Sequence, residues 1–327
     1  MLFKCKNCGG NAVYDPQMEK MYCPHCEGTD CEEKVVGSGI GECLNCGAPL
    51  EITDDTSAYK CPHCGSYLIF EQRVEGEYLP HLILPFKIGK EQAAEALKKE
   101  FHKRVFTPSS FLSQASIDSM EGSYVPFFMY DFDVAASYQA KGTKIRTWRS
   151  GDTEYTETSY YNVERDMDIN FDRIPVDASK NMADDIMDLM EPYDYKALRN
   201  FEEKYMSGFL AEKYSESSGE LEPRAKEKAD KAAHLLLHDS VAGYTTLTQV
   251  HENIAIHNKE MKYALLPVWV YTFSYRGEQY KFHVNGQTGK VIGVTPVAKD
   301  KVMGYSATVF AICTVIGILL RTILGVF

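Results

Sequence analysis

Eight of the ten cysteines in this 327-residue chain occur in four Cys-x-x-Cys pairs. Thiolates three residues apart in a tight turn can supply two of the four tetrahedral ligands that a structural zinc ion takes. The spacing therefore predicts two four-cysteine metal sites. The expected ligands are Cys5, Cys8, Cys23 and Cys26 in the first site, and Cys43, Cys46, Cys61 and Cys64 in the second.

The two sets of cysteines belong to a tandem repeat. Each position of the second set lies 38 residues after its counterpart, and NCGG and CPHCEG in the first unit match NCGA and CPHCGS in the second. The repeat predicts one zinc ribbon over residues 1–36 and another over residues 37–75. Because each unit carries four thiols, we expect the first pair to bind with the second and the third with the fourth. A cross-braced arrangement, in which the first pair joins the third, is the alternative.

Zinc is the metal that we expect, with one ion in each four-cysteine site. Iron in a rubredoxin-like site is the chemical alternative, because Cys-Pro-x-Cys-Gly turns serve both metals. His25 and His63 lie inside pairs that already have enough thiols, and we interpret them as turn residues. Cys31 lies between the units and is interpreted as a free thiol. Units this small bury little apolar surface, so metal binding should supply most of their folding free energy.

The residue after the second cysteine of each pair is expected to need a left-handed backbone. Glycine meets that need without steric cost. The four residues at this position are Gly9, Gly47, Gly65 and, in one pair, Glu27. Between the pairs, the sequence predicts short hairpins over residues 11–22 and 48–60.

The charge of the N-terminal region argues against nucleic acid as the partner. The chain has a net charge of −11, and residues 1–75 hold six Lys or Arg against twelve Asp or Glu. A zinc ion bound by four thiolates adds a charge of about −2 per site. Because phosphate contacts need Lys and Arg, the ribbons are expected to bind protein or to be structural.

The C-terminal residues 304–327 form an apolar segment whose one charged residue is Arg321. As a helix the segment would be about 36 Å long, enough to cross a hydrocarbon core of about 30 Å. We expect a single-pass transmembrane helix that anchors the chain in the lipid bilayer of the cytoplasmic membrane; a buried core helix or an interfacial helix is the alternative. Lys299 and Lys301 favour N-terminal domains in the cytoplasm, where thiols stay reduced. The N-terminus has no apolar run of signal-peptide length.

Residues 76–300 have the pattern of an α+β domain with an antiparallel sheet. Aromatic and β-branched residues predict strands from residue 122 to residue 163, with turns at residues 141–142 and 150–152. A helix is predicted over residues 90–104, with an apolar stripe of Ala93, Leu97, Phe101 and Val105. Residues 178–214 are expected to be helical because apolar side chains recur at helical spacing, at Leu198, Phe201, Tyr205 and Phe209.

A second group of elements follows. The sequence predicts a loop over residues 215–223 and strands separated by turns at residues 276–277 and 285–286. The helix between them has an apolar face made of Ala225, Ala229, Ala232, Ala233, Leu236 and Leu237. YVPFFMYDF at residue 124 is similar to LLPVWVYTF at residue 265, which indicates two halves of about 76–176 and 215–297 around a helical insert. Chance similarity of aromatic strands is the alternative.

We find no catalytic constellation and therefore expect a protein that is not an enzyme. The sequence has no phosphate-binding glycine loop, no nucleophile elbow and no His-Glu-x-x-His motif. His234 and His238 are four residues apart on a predicted helix, which is a spacing that can bind a metal. The sequence indicates no third ligand, and we interpret the two as a surface pair.

The two ribbons, the segments LPFKIGKEQAAEALKKEF and LLPVWVYTFSYRGEQYKFHVNGQTGKVIG, and the terminal apolar helix resemble the bacterial TFIIB-type zinc-ribbon-containing membrane proteins. The resemblance covers most of the chain as an arrangement of parts. The resemblance implies a gene that lies beside one for a phage-shock-protein-A homologue. The resemblance implies a scaffold at the inner face of the cytoplasmic membrane that recruits cytosolic proteins during envelope stress, among them a phage-shock-protein-A-like partner.

These observations predict an α+β protein with tandem N-terminal zinc ribbons, a central antiparallel sheet and a C-terminal transmembrane helix. Its expected function is that of a tail-anchored adaptor that recruits protein partners to the membrane. A nucleic-acid-binding zinc-ribbon protein and a redox or metal-handling protein are the two alternatives.

Overall fold

The computed structural model describes residues 1–37, 41–102, 104–111, 113 and 117–324, except for the side chains of residues 323 and 324. The described residues form an α+β fold, as predicted. Their four α-helices are α1 (Lys90–Phe101), α2 (Asp184–Met190), α3 (Ser218–Ser240) and α4 (Lys299–Leu324). The strands before α1 are β1 (Leu2–Cys5), β2 (Val13–Asp15), β3 (Lys20–Tyr22), β4 (Glu32–Val35), β5 (Thr56–Lys60), β6 (Tyr67–Ile69) and β7 (Leu82–Ile83). The later strands are β8 (Glu121–Ser150), β9 (Thr153–Asp177), β10 (Arg199–Asn200), β11 (Leu210–Glu212), β12 (Thr246–Tyr275), β13 (Glu278–Asn285) and β14 (Val291–Gly293).

One ten-stranded sheet organises the molecule. Its strand order is β10-β7-β12-β8-β11-β5-β6, with β9 added to β8, β13 to β12 and β14 to β13. The pairings are antiparallel except for those of β11 with β8 and of β7 with β12, which are parallel. Since β5 and β6 come from the second cysteine unit, that unit is continuous with the central sheet.

Three strands of the sheet are very long. β8 and β12 have 30 residues each, and β9 has 25. At about 3.3 Å per residue, a 30-residue strand extends roughly 100 Å. β8 pairs with β12 as far as Thr143↔Thr246 and with β9 as far as the turn at Ser150↔Thr153. Residues 144–159 therefore extend past the end of β12, and we call this hairpin the arm.

The arm exposes aromatic rings and carries balanced charges. Trp148 stacks on Tyr155 across the two strands, with ring centroids 5.6 Å apart, and both side chains are more than 40% exposed. Its three cationic residues are matched by three anionic ones, so the arm has no net charge. One of these cations, Arg149, pairs with Glu154 at 3.8 Å.

The turn predicted at residues 141–142 is wrong, because β8 continues through Gly142. A Cβ atom at Gly142 would lie 2.7 Å from the ring of Tyr244 and 2.9 Å from Val163, so glycine is needed here for space. The other predicted turns are confirmed, at residues 150–152, 276–277 and 285–286.

Aromatic rings fill the core of the body, which we define as residues 76–297. Phe86 stacks on Phe209 with ring centroids 4.0 Å apart. Phe111 packs edge-on against Phe273 and Phe282 at 5.1 and 4.7 Å. Rings packed at these distances favour offset or perpendicular arrangements, and they tie the loop after α1 to the ends of β12 and β13.

α1 is shorter than predicted. Ala93, Leu97 and Phe101 are buried, as the apolar stripe requires, but the helix ends at Phe101 and Val105 is 64% exposed. Residues 104–107 form a turn instead, in which the Thr107 amide donates to the Arg104 carbonyl. The apolar stripe in the sequence therefore runs one turn beyond the end of the helix.

α3 begins at Ser218, inside the segment predicted as a loop. Ser217 and Glu220 cap each other, since each accepts a hydrogen bond from the backbone amide of the other. This capping box was the missed signal for the helix start. Small side chains let α3 approach β8 and β9 closely, and the fully buried residues on this face are Ala225, Ala229, Ala233 and Leu237. Leu236, predicted to share the face, is 41% exposed.

The helical prediction for residues 178–214 is largely wrong. Only α2 is α-helical there, and it ends one residue before Glu191-Pro192 because proline disfavours a helical residue before it. The remainder holds β10, β11 and two short 3-10 turns. β11 is extended because it joins the cysteine-unit strand β5 to β8.

The two similar sequences noted above lie in neighbouring antiparallel strands. β8 and β12 each follow a helix and each begin a hairpin, which gives the local order β9-β8-β12-β13. This order has the symmetry that a duplication would produce. The duplication itself stays a hypothesis.

α4 is long and apolar enough to cross a membrane. It begins at Lys299, five residues before the predicted start, and its 26 residues extend about 39 Å. Within the described part of the chain, none of its membrane-length apolar window is buried. The base of α4 contacts the rest of the chain: the Ala298 amide donates to the Phe106 carbonyl at 2.8 Å, and the ring centroids of Phe106 and Tyr305 are 5.5 Å apart.

Candidate metal centres

The four Cys-x-x-Cys pairs fold into four similar turns. In each turn the amide four residues after the first cysteine donates to that cysteine's carbonyl, at 2.8 to 2.9 Å. The donating residue has positive φ in every case: Gly9 at +73°, Glu27 at +59°, Gly47 at +70° and Gly65 at +73°. The expected left-handed backbone is therefore confirmed at all four positions.

These turns bring the cysteines together in two groups of four. In the first group, the Sγ atoms of Cys5 and Cys26 are 3.5 Å apart, as are those of Cys8 and Cys23. In the second group, the corresponding distances are 3.6 Å for the pair Cys43 and Cys64 and 3.9 Å for the pair Cys46 and Cys61. Each group lies within one repeat unit, so the first pair joins the second and the cross-braced alternative is not observed.

The sulfur spacing fits a tetrahedral metal ion. Four thiolates at about 2.3 Å from a central zinc ion lie about 3.8 Å from one another. A disulfide needs a sulfur–sulfur distance of about 2.05 Å, and all these cysteines are free thiols. Each group could therefore hold one metal ion. The spacing does not distinguish zinc from iron.

The thiols of each group point to two sides. The first cysteine of each pair is buried, and these residues are Cys5, Cys23, Cys43 and Cys61. The second cysteines face outward; Cys64 is half-buried and the other three are exposed. Neither group includes His25 or His63. A metal in each site would thus tie the interior of a unit to its surface.

Cys31 is a fifth thiol beside the first group, which sequence reasoning missed. Its Sγ lies 3.2 Å from that of Cys5, and its carbonyl accepts from the Lys6 amide at 2.7 Å. The hydrogen bond with Cys31 lowers the pKa of the Cys5 thiol to about 6. The available signal was a break in the repeat, since the residue 38 positions later is Ile69.

Beside the second group, the Ser66 hydroxyl contacts a cysteine, as the Cys31 thiol does beside the first group. Ser66 Oγ lies 3.2 Å from Cys64 Sγ and accepts a hydrogen bond from the Asn45 side chain at 3.0 Å. Burial alone would raise the pKa of the Cys64 thiol, but hydrogen bonds with Ser66 lower it to about 6. One thiol in each group is therefore easier to ionise than a free cysteine, whereas burial and hydrogen bonds with neighbouring thiols raise the pKa values of Cys8, Cys26, Cys43 and Cys46.

Both units are docked on the body. Ser207 holds the first unit, because its carbonyl accepts from the Tyr14 amide at 2.8 Å and its hydroxyl donates to the Ala12 carbonyl at 2.7 Å. An ion pair of 2.7 Å between Arg199 and Glu19 adds a second connection. The second unit is held by the pairing of β5 with β11. The cysteine groups are thus fixed relative to the sheet.

Comparison with known proteins bears on the identity of the chain. No protein-family model and no solved structure matches it. The chain is 35% identical over 314 residues to YdjG of Bacillus subtilis (strain 168), and the alignment covers 93% of this chain and 92% of YdjG. Zinc, the membrane location and the gene neighbourhood stay predictions. Similarity of this extent shows that the chain belongs to the same protein family as YdjG.

Proposed function

We propose that the protein is a tail-anchored adaptor at the cytoplasmic face of the membrane. Two zinc ions staple its N-terminal units into a rigid protein-binding module, and α4 holds that module at the bilayer. The family resemblance adds an expected setting, which is the recruitment of a phage-shock-protein-A-like partner during envelope stress.

The exposed surface of α4 carries this proposal. An apolar helix of membrane-spanning length that buries nothing against its own chain leaves a large apolar area in water. Soluble monomers rarely expose a continuous apolar surface of that size, and a bilayer covers it. The one ionised residue of the apolar segment, Arg321, lies in the last turn of the described helix, from which its long side chain can reach the far interface.

The surface around the base of α4 also supports the proposal that this helix enters a bilayer. Val105, Val294 and Val297 are 64%, 77% and 57% exposed, although they are apolar. Phe106, which contacts the base of α4, is also exposed. Lys301 lies at the same level and donates to the Thr107 carbonyl at 2.7 Å. Apolar and cationic side chains together suit the interface of a bilayer with anionic lipids.

Zinc is the metal that best fits the two cysteine groups. Four sulfur ligands in a closed tetrahedral arrangement are typical of a structural zinc site. When bound, zinc would supply four fixed bonds per site and no open position for chemistry. Elemental analysis of the purified protein should show zinc, and its absorption spectrum should have no visible band. Iron together with a visible band would replace zinc in this proposal.

Acidic character makes protein the favoured partner of the N-terminal units. Six cationic and twelve anionic residues occupy residues 1–75 before any thiolate is counted. The arm does not compensate, because its charges balance. A phosphate backbone would meet net repulsion at the units and no net attraction at the arm.

The membrane part of the proposal is tested by fractionation. The full-length protein should remain in the membrane fraction after carbonate washing and require detergent for release. A variant that lacks residues 304–327 should be soluble. As a matched control, a full-length Lys301→Ala variant should stay in the membrane, since the apolar helix is intact. Full-length protein in the soluble fraction would exclude the anchor.

The adaptor part is tested by crosslinking in intact membranes. Proteins crosslinked to the full-length chain should be lost when the second cysteine site is disabled by Cys43→Ser and Cys46→Ser. The same variant must still fractionate with the membrane, which separates loss of partner binding from loss of the anchor. An unchanged crosslinking pattern in this variant would contradict recruitment through the ribbons.

The fifth thiol favours a metal-handling protein as the second candidate function. Cys31 lies within thiol contact of Cys5, so the first group has one sulfur more than a closed structural site needs. A metal-handling role predicts faster loss of metal from the first site than from the second during chelation. Cys31→Ser should then make the two rates equal, whereas a purely structural role predicts slow loss from both sites in either protein.

A further inference from the structure

We propose that His234, His238 and Glu252 form a third metal site, which binds a divalent transition metal ion of the zinc class between α3 and β12. The ligating atoms of these three side chains all lie within 4.8 Å of one another. The site is separate from both cysteine groups and uses nitrogen and oxygen ligands where those use sulfur. The sequence indicated only the histidine pair, because Glu252 lies on a distant strand.

The fold brings the three ligands together. His234 and His238 are one helical turn apart on α3, so their side chains project to the same side. Glu252 lies on β12 directly opposite Tyr138 of β8, and the Tyr138 ring packs edge-on against the His238 ring with centroids 6.2 Å apart. Beneath them, Leu237 is fully buried against the sheet and fixes the spacing between helix and strand.

The distances match what a metal ion needs. His234 Nδ1 lies 2.9 Å from Glu252 Oε1. Three atoms no more than 4.8 Å apart have a common centre at most about 2.8 Å away, and small side-chain rotations reach metal bonds of about 2.0 to 2.2 Å. The backbone does not have to move.

A second carboxylate lies beside the first histidine. The other ring nitrogen of His234, Nε2, lies 3.5 Å from Asp230 Oδ2, one turn earlier on α3. Metal-bound histidines usually donate their second N–H to a carboxylate, which fixes the tautomer and the ring plane. Here Nδ1 of His234 lies next to Glu252 in the site, and Nε2 points toward Asp230. Asp230 could therefore accept the N–H of a metal-bound His234.

The donor set selects the type of metal and leaves one position open. Two imidazoles and one carboxylate suit zinc, nickel or cobalt, whereas calcium and magnesium prefer oxygen donors throughout. The site faces solvent, since the His234 and Glu252 side chains are 43% and 19% exposed. A tetrahedral ion would therefore keep a fourth position for water or for a side chain of a partner.

The test is metal stoichiometry of the full-length protein purified in detergent, equilibrated with zinc and then passed through a desalting column. Elemental analysis should give three zinc ions per chain for the wild type and two for a His234→Ala, His238→Ala double variant. Glu252→Gln should weaken zinc binding at this site at least tenfold. A His251→Ala, His257→Ala variant is the matched control, because it removes two exposed β12 imidazoles and should keep three ions.

Cobalt spectroscopy shows which site is lost. With the cysteine groups filled by zinc, added Co²⁺ should give weak visible bands without the intense sulfur-to-metal absorption of a thiolate site, and the double variant should lose them. Cys43→Ser with Cys46→Ser should remove a different ion and leave these bands unchanged. Two zinc ions in the wild type, or equal cobalt binding in the double variant, would reduce the cluster to an ion pair and overturn the proposal. Thermal unfolding curves that match the wild type confirm that the histidine and glutamate variants are folded.

Discussion

The residue that follows each Cys-x-x-Cys pair controls the shape of the cysteine turn. Gly65 has φ of +73°, and a Cβ atom added to it would meet no atom within 4 Å beyond its chain neighbours. The cost of substituting Gly65 is therefore conformational and not steric. Glu27 adopts the same conformation with φ of +59° and lacks the freedom of glycine. The first unit thus carries backbone strain that the second avoids.

We expect opposite effects from substitutions at these two positions. Gly65→Ala should lower the free energy of unfolding by about 1 kcal/mol, because a left-handed backbone costs an L-residue about that much. Glu27→Gly should raise it by about 0.5 kcal/mol, since relief of strain exceeds the added entropy of the unfolded chain. Urea denaturation measures both. Gly219→Ala, at the start of α3 where φ is not positive, is the control and should not destabilise.

The two sulfur environments make a second prediction at this scale. Cys64→Ser should reduce the metal content by one ion per chain, because the second site is left with three thiolates. Cys31→Ser should keep both ions of the cysteine sites, because Cys5, Cys8, Cys23 and Cys26 remain. Elemental analysis after desalting decides between the variants. Loss of an ion in Cys31→Ser would make that residue a ligand and not a neighbour.

Single residues differ in how well the sequence predicts them. The eight paired cysteines could be identified because their chemistry is encoded in short spacings. Cys31, Ser66 and Glu252 could not, because their roles depend on contacts made across folded elements. Glu252 lies 18 residues from His234 in the sequence and 2.9 Å from it in space.

Among the elements, α3 is held to α2 and β9 by a charge cluster in which Asp177 is the buried member. Arg224 of α3 contacts Asp177 at 2.9 Å and both Asp184 and Asp188 at 3.0 Å. Asp177 is fully buried, and its Oδ2 has no hydrogen-bond partner among the described residues. Burial raises the pKa of the Asp177 carboxyl from 3.8 to about 6, although Arg224 opposes the shift.

This raised pKa predicts a pH dependence of stability. The native state binds a proton on Asp177 more tightly than the unfolded chain does, so its stabilising effect is complete below about pH 4 and is lost as the pH rises through about 6. The free energy of unfolding should fall by about 2 to 3 kcal/mol across that interval from this residue. Urea denaturation at several pH values measures the slope.

The variant Asp177→Asn isolates the contribution. Between pH 4 and pH 6, the free energy of unfolding of this variant should fall by about 2 to 3 kcal/mol less than that of the wild type, because an amide does not titrate. Asp184 contacts the same arginine from an exposed position, and its charge adds to the raised pKa of Asp177. Asp184→Asn should therefore keep most of the pH dependence that Asp177→Asn removes. Equal slopes in the wild type and Asp177→Asn would show that Asp177 is not the titrating group.

Helices and strands were predicted best where the periodicity of apolar residues agrees with the positions of the turn residues. The β12–β13–β14 meander follows from aromatic alternation and two Gly-containing turns, and it is confirmed. Residues 198–209 have helical spacing but are extended or in short turns, because their rings fill separate pockets of the core, as Phe209 does on Phe86 and Tyr205 on Tyr14. The 30-residue strands were not predicted, since Gly142 resembles a turn until the ring beside it is known.

For the molecule as a whole, the long strands predict an elongated shape. A compact chain of this size would have a radius of gyration of about 20 Å and hence a diameter of about 50 Å, whereas β8 alone extends roughly 100 Å. Small-angle X-ray scattering of the variant that lacks residues 304–327 should give a maximum dimension near that length. Replacement of the arm by Asn-Gly should shorten it by about 20 Å with little change in thermal stability. A maximum dimension of a compact sphere would contradict the extended sheet.

The base of α4 and the tip of the arm lie at opposite ends of these strands. Phe106 joins the base of α4, and Phe111 nearby packs on Phe273 close to the end of β12, whereas the arm turns at Gly151. Roughly 100 Å of strand separates the two ends. If α4 crosses a bilayer, the arm tips of two copies could therefore meet while their anchors stand up to about 200 Å apart. Contact between two arms is then not limited to copies whose anchors are neighbours in the bilayer.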